Sequence, residues 1–593
     1  MGDNAVTCTE FQDDVLTHEL TPAGPVPTAF DPNGVYPYVS YVATAPRAVY
    51  KTYRFIALEN ERLRVVICPD LGGKVVSIVH KGSGREVLYN PGIIKPVRIL
   101  PRFAFVPGGI AVSFPISHSP SQNEPVLTRI DRTPSRVYVT CGERELRFGM
   151  QWSVEYSLGP GDDFLTQRTV FHNPGRAAYP WMSWSNAALP AAPDTEFHFP
   201  DGEVLRHSST LQSIDWRRAG PRRESDIAEM TGFFWRKKDF NAFGAFTPSL
   251  GSGLYHVADV ALAPGMKLWS YGVGEDSAWA TLGAAHRQAY VEIQGGPLAD
   301  QATKVMLEPN ETRSHVEFWV PTDQPRDIYA LTVPTVPLRP ITDIPRFGWA
   351  RESDVRVWTD LVIAHRTKGR LPNPPDPDDL LWAPSGMEGL AASFEWAIAR
   401  APGAAVDGWR FHFGVWLAGR AQEADAIRVL SGSALGVAQA LLARLLSLRG
   451  DVAGATQAFR AIREPAVQSH PQIVAERDEV LRRGGAATIA ERERWLNEAD
   501  PSDDERVIER RVQLLIDKGE LRKAKELLLS VQFQKIHQRY VRTMLWNDLC
   551  EKLNEPCVPV PAQLGEDRLA RFGAYREFED DAMRPGRLEL PAS

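Results

Sequence analysis

The sequence predicts a chain in two parts, a large antiparallel β-sandwich followed by an α-helical repeat domain. Three observations carry that division. From about Thr52 to Pro321, apolar and polar residues alternate with period two, the spacing of strands that bury one face, and Gly, Pro, Asn and Asp clusters break the pattern. Between Pro372 and Asp379 the run Pro-Asn-Pro-Pro-Asp-Pro-Asp-Asp interrupts any regular element. Beyond it the apolar period becomes helical, with Gly-x-x-x-x-Ala phrases set between amphipathic stretches. A chain of 593 residues exceeds what a single core can serve, so more than one domain is required. The expected division is an N-terminal segment at 1–50, the sandwich at 51–338, a linker at 339–379, helical repeats at 380–570 and a tail at 571–593.

Composition excludes several classes. With 43% hydrophobic and 24% charged residues and a net charge of −7, the chain has no basic footprint for nucleic acid or an anionic membrane. No window approaches the eighteen or so uncharged apolar residues of a membrane span. Met1 to Glu19 carries acids and no apolar core, so neither a secretory nor a lipidation signal is expected and the chain reads as cytoplasmic. Five scattered cysteines, Cys8, Cys68, Cys141, Cys550 and Cys557, lack Cys-x-x-Cys spacing; no disulfide framework, metal site or cofactor is expected.

The first half divides into strands at its turn signals. Leu63 to Cys68 runs into Pro69-Asp70-Leu71-Gly72-Gly73, and Lys74 to His80 resumes the alternation. Further strands are expected at Arg136 to Cys141, Gln151 to Leu158, Phe164 to Phe171, Trp279 to Leu282, Ala289 to Gln294 and Ser314 to Val320. Turns such as Gly159-Pro160-Gly161-Asp162 and Pro309-Asn310 separate them. Aromatic residues including Trp181, Trp184, Phe233, Phe234, Trp235, Phe240 and Trp269 are interleaved with Asn186, Lys238, Asp239, His256 and Lys267. Flat aromatic faces beside hydroxyl-binding polar groups are what a carbohydrate cleft needs, although a sandwich core absorbs aromatics too.

The stretch Tyr290-Val-Glu-Ile-Gln-Gly-Gly-Pro-Leu-Ala-Asp300 concentrates this chemistry. On a strand, Tyr290, Glu292 and Gln294 share one face while Val291 and Ile293 share the other. Gly295, Gly296 and Pro297 then stop the strand, which leaves a carboxylate and an amide near a sheet end.

Several phrases together resemble the DUF5107 family: Pro69-Asp-Leu-Gly-Gly-Lys74, Gly108-Gly-Ile110, Trp184-Ser-Asn-Ala-Ala188, Leu254-Tyr-His-Val-Ala-Asp259, Ala263 to Gly272 and Val291-Glu-Ile-Gln-Gly-Gly296. The resemblance implies a galactose mutarotase-like β-supersandwich, the fold of aldose 1-epimerases. In those enzymes a strand Glu followed two residues later by Gln is the general base, and Glu292-Ile293-Gln294 matches it. The resemblance therefore implies a sugar or oligosaccharide ligand, with Glu292 as base and His256 or His118 as acid. Trp184, Asn186, Asp239, Lys267, Trp269 and Gln294 are expected to shape the cleft. Anomer interconversion needs a base for the C1 hydroxyl and an acid for the ring oxygen, which a carboxylate and an imidazole supply near neutral pH. The chain departs from the family where an acid and an amide usually stand, at Ala111 and Ser113, and Ser117 precedes a single His118. Glycoside hydrolysis is the enzymatic alternative; it requires a second carboxylate, for which Asp239, Asp259, Asp194 and Glu275 are the candidates. A non-catalytic carbohydrate sensor is the other alternative.

In the second half, Gly419 to Ala424, Gly450 to Ala455 and Gly519 to Ala524 recur at about one and two steps of the ~34-residue tetratricopeptide period. A Gly that closes one helix and an Ala that admits the next is the device of such repeats. The part resembles a tetratricopeptide solenoid, expected to brace the sandwich, to self-associate into a homo-oligomer or to take a peptide partner.

Overall fold

The computed structural model describes residues 6–568 apart from 30–35, 99–101, 103, 117, 119, 208–210, 229, 237–239, 273–287, 302–303, 500 and 536–540. Two antiparallel sheets face one another, and the helices follow them in sequence. Among the described residues the larger sheet has twelve strands. It runs from an edge at Thr7–Pro22 through Tyr41–Glu59, Leu63–Cys68, Lys74–His80, Ile110–Ser113, Trp184–Pro190, Tyr290–Gly296, Gly265–Ser270, Thr231–Trp235 and Glu203–His207 to Leu211–Asp215, with Arg85–Glu86 paired beside Lys74–His80. The second sheet has eight strands, with Thr312–Thr322 between Ser252–Ala258 and Leu165–His172. The expected strands appear with ends shifted by up to three residues; the one expected at Trp279 to Leu282 lies outside the described residues.

Alternation builds the core. Ile67, Val75, Ile110, Ala187, Leu268, Val291 and Ile293 turn inward from the larger sheet and meet Val139, Trp152, Tyr156, Phe171, Phe243 and Trp319 of the other. Burying a large apolar side chain contributes about 1.5–3 kcal/mol, so this interlayer is the main cohesive term of the first half. One polar cluster interrupts it. The Glu317 carboxylate, fully buried, accepts from His256 Nε2 at 2.8 Å, Ser185 Oγ at 2.6 Å, Gln167 Nε2 at 2.9 Å and His315 Nε2 at 3.1 Å. Burial alone would push its pKa up, but the hydrogen bonds and charges of the two histidines hold it well below the carboxylate range. With four donors on the carboxylate, the cluster pins three strands of one sheet to the Trp184–Pro190 strand of the other.

Two boundaries differ from expectation. The first 50 residues do not stand apart. Thr7–Pro22 pairs along its length with Tyr41–Glu59 as the edge of the large sheet, and the connection between them passes over the helices. The 339–379 linker is packed too. Arg339 binds Asp131 and Glu155, Gln151 donates to Phe347 O at 2.9 Å, and Glu352–Thr367 is a helix whose Trp358 is fully buried in the helical core. A charge-rich, proline-rich stretch reads as a spacer only when its tertiary partners are unseen.

The helical part consists of antiparallel pairs, such as Gly436–Leu448 with Val452–Ala461 and Glu505–Asp517 with Leu521–Ser530. Gly450 and Gly519 take left-handed φ values of 83° and 77° at the turns, and Ala455 and Ala524 are fully buried, as the repeat phrase requires. At the first phrase the register moves by two residues. Ala421 holds the left-handed position and Ala426 the buried one, while Gly419 ends its helix beneath the ring of Tyr36; a Cβ there would come within 2.2 Å of that ring. Among the described residues, no helix is long and apolar enough to cross a membrane.

Candidate active site

The Tyr290–Gly296 strand lies in the middle of the large sheet, between Trp184–Pro190 and Gly265–Ser270. Val291 and Ile293 enter the interlayer core, so Tyr290, Glu292 and Gln294 occupy the face turned away from it. Register decides what joins them. Asn186 lies opposite Gln294 and Ala188 opposite Glu292; on the other side Lys267 lies opposite Gln294 and Trp269 opposite Glu292. Residues directly opposite on paired strands share a face, so the same side continues through Ala111 and Ser113 in one direction and Phe234, Gly232 and His207 in the other. Gly232 is needed here, because a Cβ would stand 2.6 Å from the Trp269 ring that crosses it.

A directed chain of hydrogen bonds runs across this face. Lys267 Nζ donates to Gln301 Oε1 at 2.7 Å, Gln301 Nε2 donates to Gln294 Oε1 at 2.7 Å, and Gln294 Nε2 donates to Glu292 Oε2 at 2.7 Å. An ammonium only donates and a carboxylate only accepts, so both amide orientations are fixed by the ends of the chain. Lys267 rests on two aromatic faces, 4.6 Å from the Phe234 centroid and 4.8 Å from that of Trp269. A second ammonium, Lys74, donates to the backbone carbonyls of Val106 and Gly108, the latter at 2.8 Å, and so ties the Gly108-Gly109 turn to the sheet.

Burial sets the proton affinities. It lifts the Glu292 carboxyl above its usual range, against the opposing charge of Lys267, the Gln294 bond, Lys74 and Tyr271. It lowers Lys267 to about 7 and Lys74 to about 8, each drawn part of the way back by Glu292. His118 is lowered to about 3 by burial together with the charges of Lys267 and Lys74, and His207 to about 4 by burial and Lys267. Both imidazoles are therefore neutral at pH 7. His118 is tied to this face through Ser113 and Phe105, and there it feels both ammonium charges.

His118 takes a left-handed φ of 52°, its backbone N donates to Ser113 Oγ at 3.0 Å, and its ring packs edge-on at 4.8 Å from Phe105. Its Nδ1 is buried and has no hydrogen-bond partner among the described residues, and the same is true of Asn186 Oδ1. Tyr89 stacks on Tyr290 at 4.3 Å, Tyr271 packs against Tyr290 at 4.7 Å, and with Val97, Phe105 and Trp269 they close one side of the site. Half-buried Phe234, His207, Gln301 and His118 leave the enclosure incomplete on another.

The structure brings together Glu292, Gln294, Lys267, Trp269, Asn186 and His118. Trp184 borders them, with its Nε1 donating to Asp300 O at 3.1 Å and its ring against Phe234, as a packed wall. His256 does not join them. It belongs to the Glu317 cluster on the opposite sheet, fully buried between Phe243 and Trp319, and meets the Glu292 strand from beneath, at Gly295. Its strand neighbours made it look like a site residue; the sheet packing makes it a core one. Asp239 lies outside the described residues, as does Glu275. Asp259 and Asp194 are spent on local turns, Asp259 accepting from Ala261 N and Asp194 from Ser249 N and Oγ. Lys74, Tyr271, His207 and Gln301 were not singled out from sequence. Tyr271 continues the Lys267, Trp269 alternation and was detectable by that rule, whereas His207 and Gln301 arrive through register and loop geometry.

A family profile described as a domain of unknown function, DUF5107, matches residues 30–322, and a profile for a C-terminal domain matches 358–549. A TPR-domain containing protein from Parabacteroides distasonis ATCC 8503 is similar over nearly its whole length: 58% identity, 96% of this chain and 99% of that one, TM-score 0.89. A galactose mutarotase-like protein from Clostridium acetobutylicum is matched at 13% identity over 46% of this chain and 96% of that one, TM-score 0.36. Another from Lactobacillus casei ATCC 334 is matched at 12% identity over 45% and 99%, TM-score 0.34.

Proposed function

This chain belongs to the DUF5107 family, and from that premise and the geometry of its sheet face we propose that it is a carbohydrate-active enzyme performing acid/base chemistry at the anomeric carbon of a sugar, in the manner of an aldose 1-epimerase. The observation that carries the reading is a buried carboxylate with raised proton affinity, set on the face of the sheet away from the core together with two hydrogen-bonding atoms, His118 Nδ1 and Asn186 Oδ1, that have no partner among the described residues. Unsatisfied buried polar atoms cost about 1–3 kcal/mol each, and sugar hydroxyls are groups that satisfy them.

In the proposed reaction Glu292 takes the proton of the C1 hydroxyl. The C1–O5 bond breaks as the C1 oxygen becomes a carbonyl, and the ring oxygen receives a proton from His118 in its imidazolium form, which burial and the two lysine charges make the minor form at pH 7. Rotation about C1–C2 and the reverse steps close the ring on the other face, and both side chains recover their starting protonation. The raised pKa of Glu292 makes it a stronger base than an exposed carboxylate, which general base catalysis rewards. Gln294 holds one carboxylate oxygen, and Tyr271 also hydrogen-bonds the carboxylate, so both orient the base toward the C1 hydroxyl. Hydrolysis is the weaker reading, because among the described residues the groups that act most strongly on Glu292 are Lys267, Gln294, Lys74 and Tyr271, and none is a carboxylate.

The test uses fresh single-anomer aldoses and, in parallel, aryl glycosides and disaccharides. Exchange between anomers, followed by NMR and reduced about 10²–10⁴-fold in Glu292→Gln, supports the proposal. Sugar released from glycosides and lost in the same variant would replace it with hydrolysis, and binding without either reaction would leave a sensor.

A further inference from the structure

Lys267 is committed to the site by everything around it and yet is not filled by it. Its side chain is buried on the sheet face beside Glu292, and of its three ammonium hydrogens one has an acceptor, Gln301 Oε1; the other two have none among the described residues. Aromatic faces on two sides, Phe234 and Trp269, accept charge but no directed hydrogen bond. No ion pair joins Lys267 to Glu292 directly. The amides of Gln301 and Gln294 stand between them and hold the two charges apart.

The local charge is out of balance. Lys267 and Lys74 both act on Glu292 and on His118, so among the described residues two ammonium groups share a site with one carboxylate. Lys74 directs two of its three hydrogens at Val106 O and Gly108 O; Lys267, with one acceptor among the described residues, has more donors to spare. A desolvated cation without a matching anion is costly, and the site recovers that cost when a ligand brings the missing charge. A neutral sugar would satisfy hydroxyl-binding atoms such as Asn186 Oδ1 and leave this imbalance in place.

We propose that the substrate is an anionic sugar, one bearing a carboxylate or phosphate group, whose negative oxygens are received by Lys267 while the anomeric centre lies at Glu292. This rests on the reading of Glu292 as the anomeric base and adds the substrate class to it. The separation along the Lys267–Gln301–Gln294–Glu292 chain sets the anionic group and the reacting carbon at different ends of one ligand. Lys267 is here a binding residue, and its neighbours Phe234 and Trp269 exclude water from the contact.

The experiment compares glucose, glucuronate and glucose 6-phosphate on the full-length protein, by calorimetric binding and by anomer exchange, in wild type, Lys267→Met and Glu292→Gln, with inorganic phosphate as a control for a bare anion. The expected result is that one or both anionic sugars bind about ten- to hundredfold more tightly than glucose, and that Lys267→Met removes the preference. Glu292→Gln should keep the preference in binding and lose exchange. The carboxylate and phosphate arms identify which oxyanion fits. Glucose bound or exchanged as well as either anionic sugar, or a preference unchanged in Lys267→Met, would overturn the inference and leave the anomeric chemistry standing. Anionic sugars bound through Lys267 with no exchange of any sugar would keep the substrate class and remove the epimerase reading. Inorganic phosphate bound as tightly as the sugar phosphate would reduce the site to a bare anion hole and overturn the inference. Circular dichroism of each variant establishes that it is folded, and Lys267→Arg, which restores the charge, should recover part of the preference if charge is the cause.

Discussion

At the scale of single residues, the site is a set of groups whose proton affinities burial has displaced in opposite directions. Glu292 is raised and Lys267 lowered to about 7, and the signs make distinct predictions. A carboxyl whose folded pKa exceeds its unfolded value favours folding at low pH and loses that contribution as pH rises through the folded value. A lysine whose folded pKa is lowered makes folding more favourable as pH rises between about 7 and about 10.5. Relative to Glu292→Gln, the wild type should therefore lose stability as pH is raised above about 4.5. Relative to Lys267→Met it should gain stability above about pH 7; urea denaturation across pH 4 to 10 reads both slopes. His118→Ala is expected to lower anomer exchange about 10²–10⁴-fold with a smaller effect on stability, because its Nδ1 has no hydrogen-bond partner among the described residues to lose. His256→Ala should do the reverse and cost about 3–5 kcal/mol of stability by stranding Glu317, a split that separates the two histidines.

At the scale of the element, alternation did most of the work. Tyr290-Val-Glu-Ile-Gln-Gly-Gly296 assigned each side chain to a face before any partner strand was known, and Val291 and Ile293 are in the core as that pattern demands. The same rule could not say which sheet His256 belonged to, because a face is defined only against a neighbouring layer. Gly295 is a point of close approach between the two layers: a Cβ there would stand 2.6 Å from His256 Nε2 and 3.1 Å from Glu317 Oε1. Gly295→Ala should cost about 1–3 kcal/mol by overpacking and should also depress activity, since the strand that shifts carries Glu292 and Gln294. Denaturation and anomer exchange measured on one preparation test the pair of effects.

At the scale of the whole molecule, the helices hold the chain's own N-terminal connection. Arg506 Nη1 donates to Ala23 O at 3.0 Å, Gln472 Nε2 to Val26 O at 2.8 Å and Arg444 Nη1 to Pro27 O at 2.5 Å, from three successive helix pairs. Tyr36 then seats against Gly419 and donates to Ala383 O at 2.7 Å. This contact supports the bracing role expected of the repeats, since the residues it holds lead straight into the edge strands of the large sheet. Gly419→Leu would drive a side chain into the Tyr36 ring and should cost about 1–3 kcal/mol. Hydrogen exchange should rise at residues 23–29 and at the Tyr41–Glu59 strand; exchange raised only within the helices would separate the repeats from the sheet.

The sequence by itself determined the two-part division, the strand pattern and the face on which Tyr290, Glu292 and Gln294 stand, because backbone periodicity is a local property that each segment carries alone. Only the tertiary structure decided that His256 belongs to the core and His118 to the site, that Lys74 and Gln301 complete the charge pattern around Glu292, and that the N-terminal connection fills a surface of the helices. Those outcomes depend on register and layer packing between residues far apart in the chain, and no local spacing encodes them.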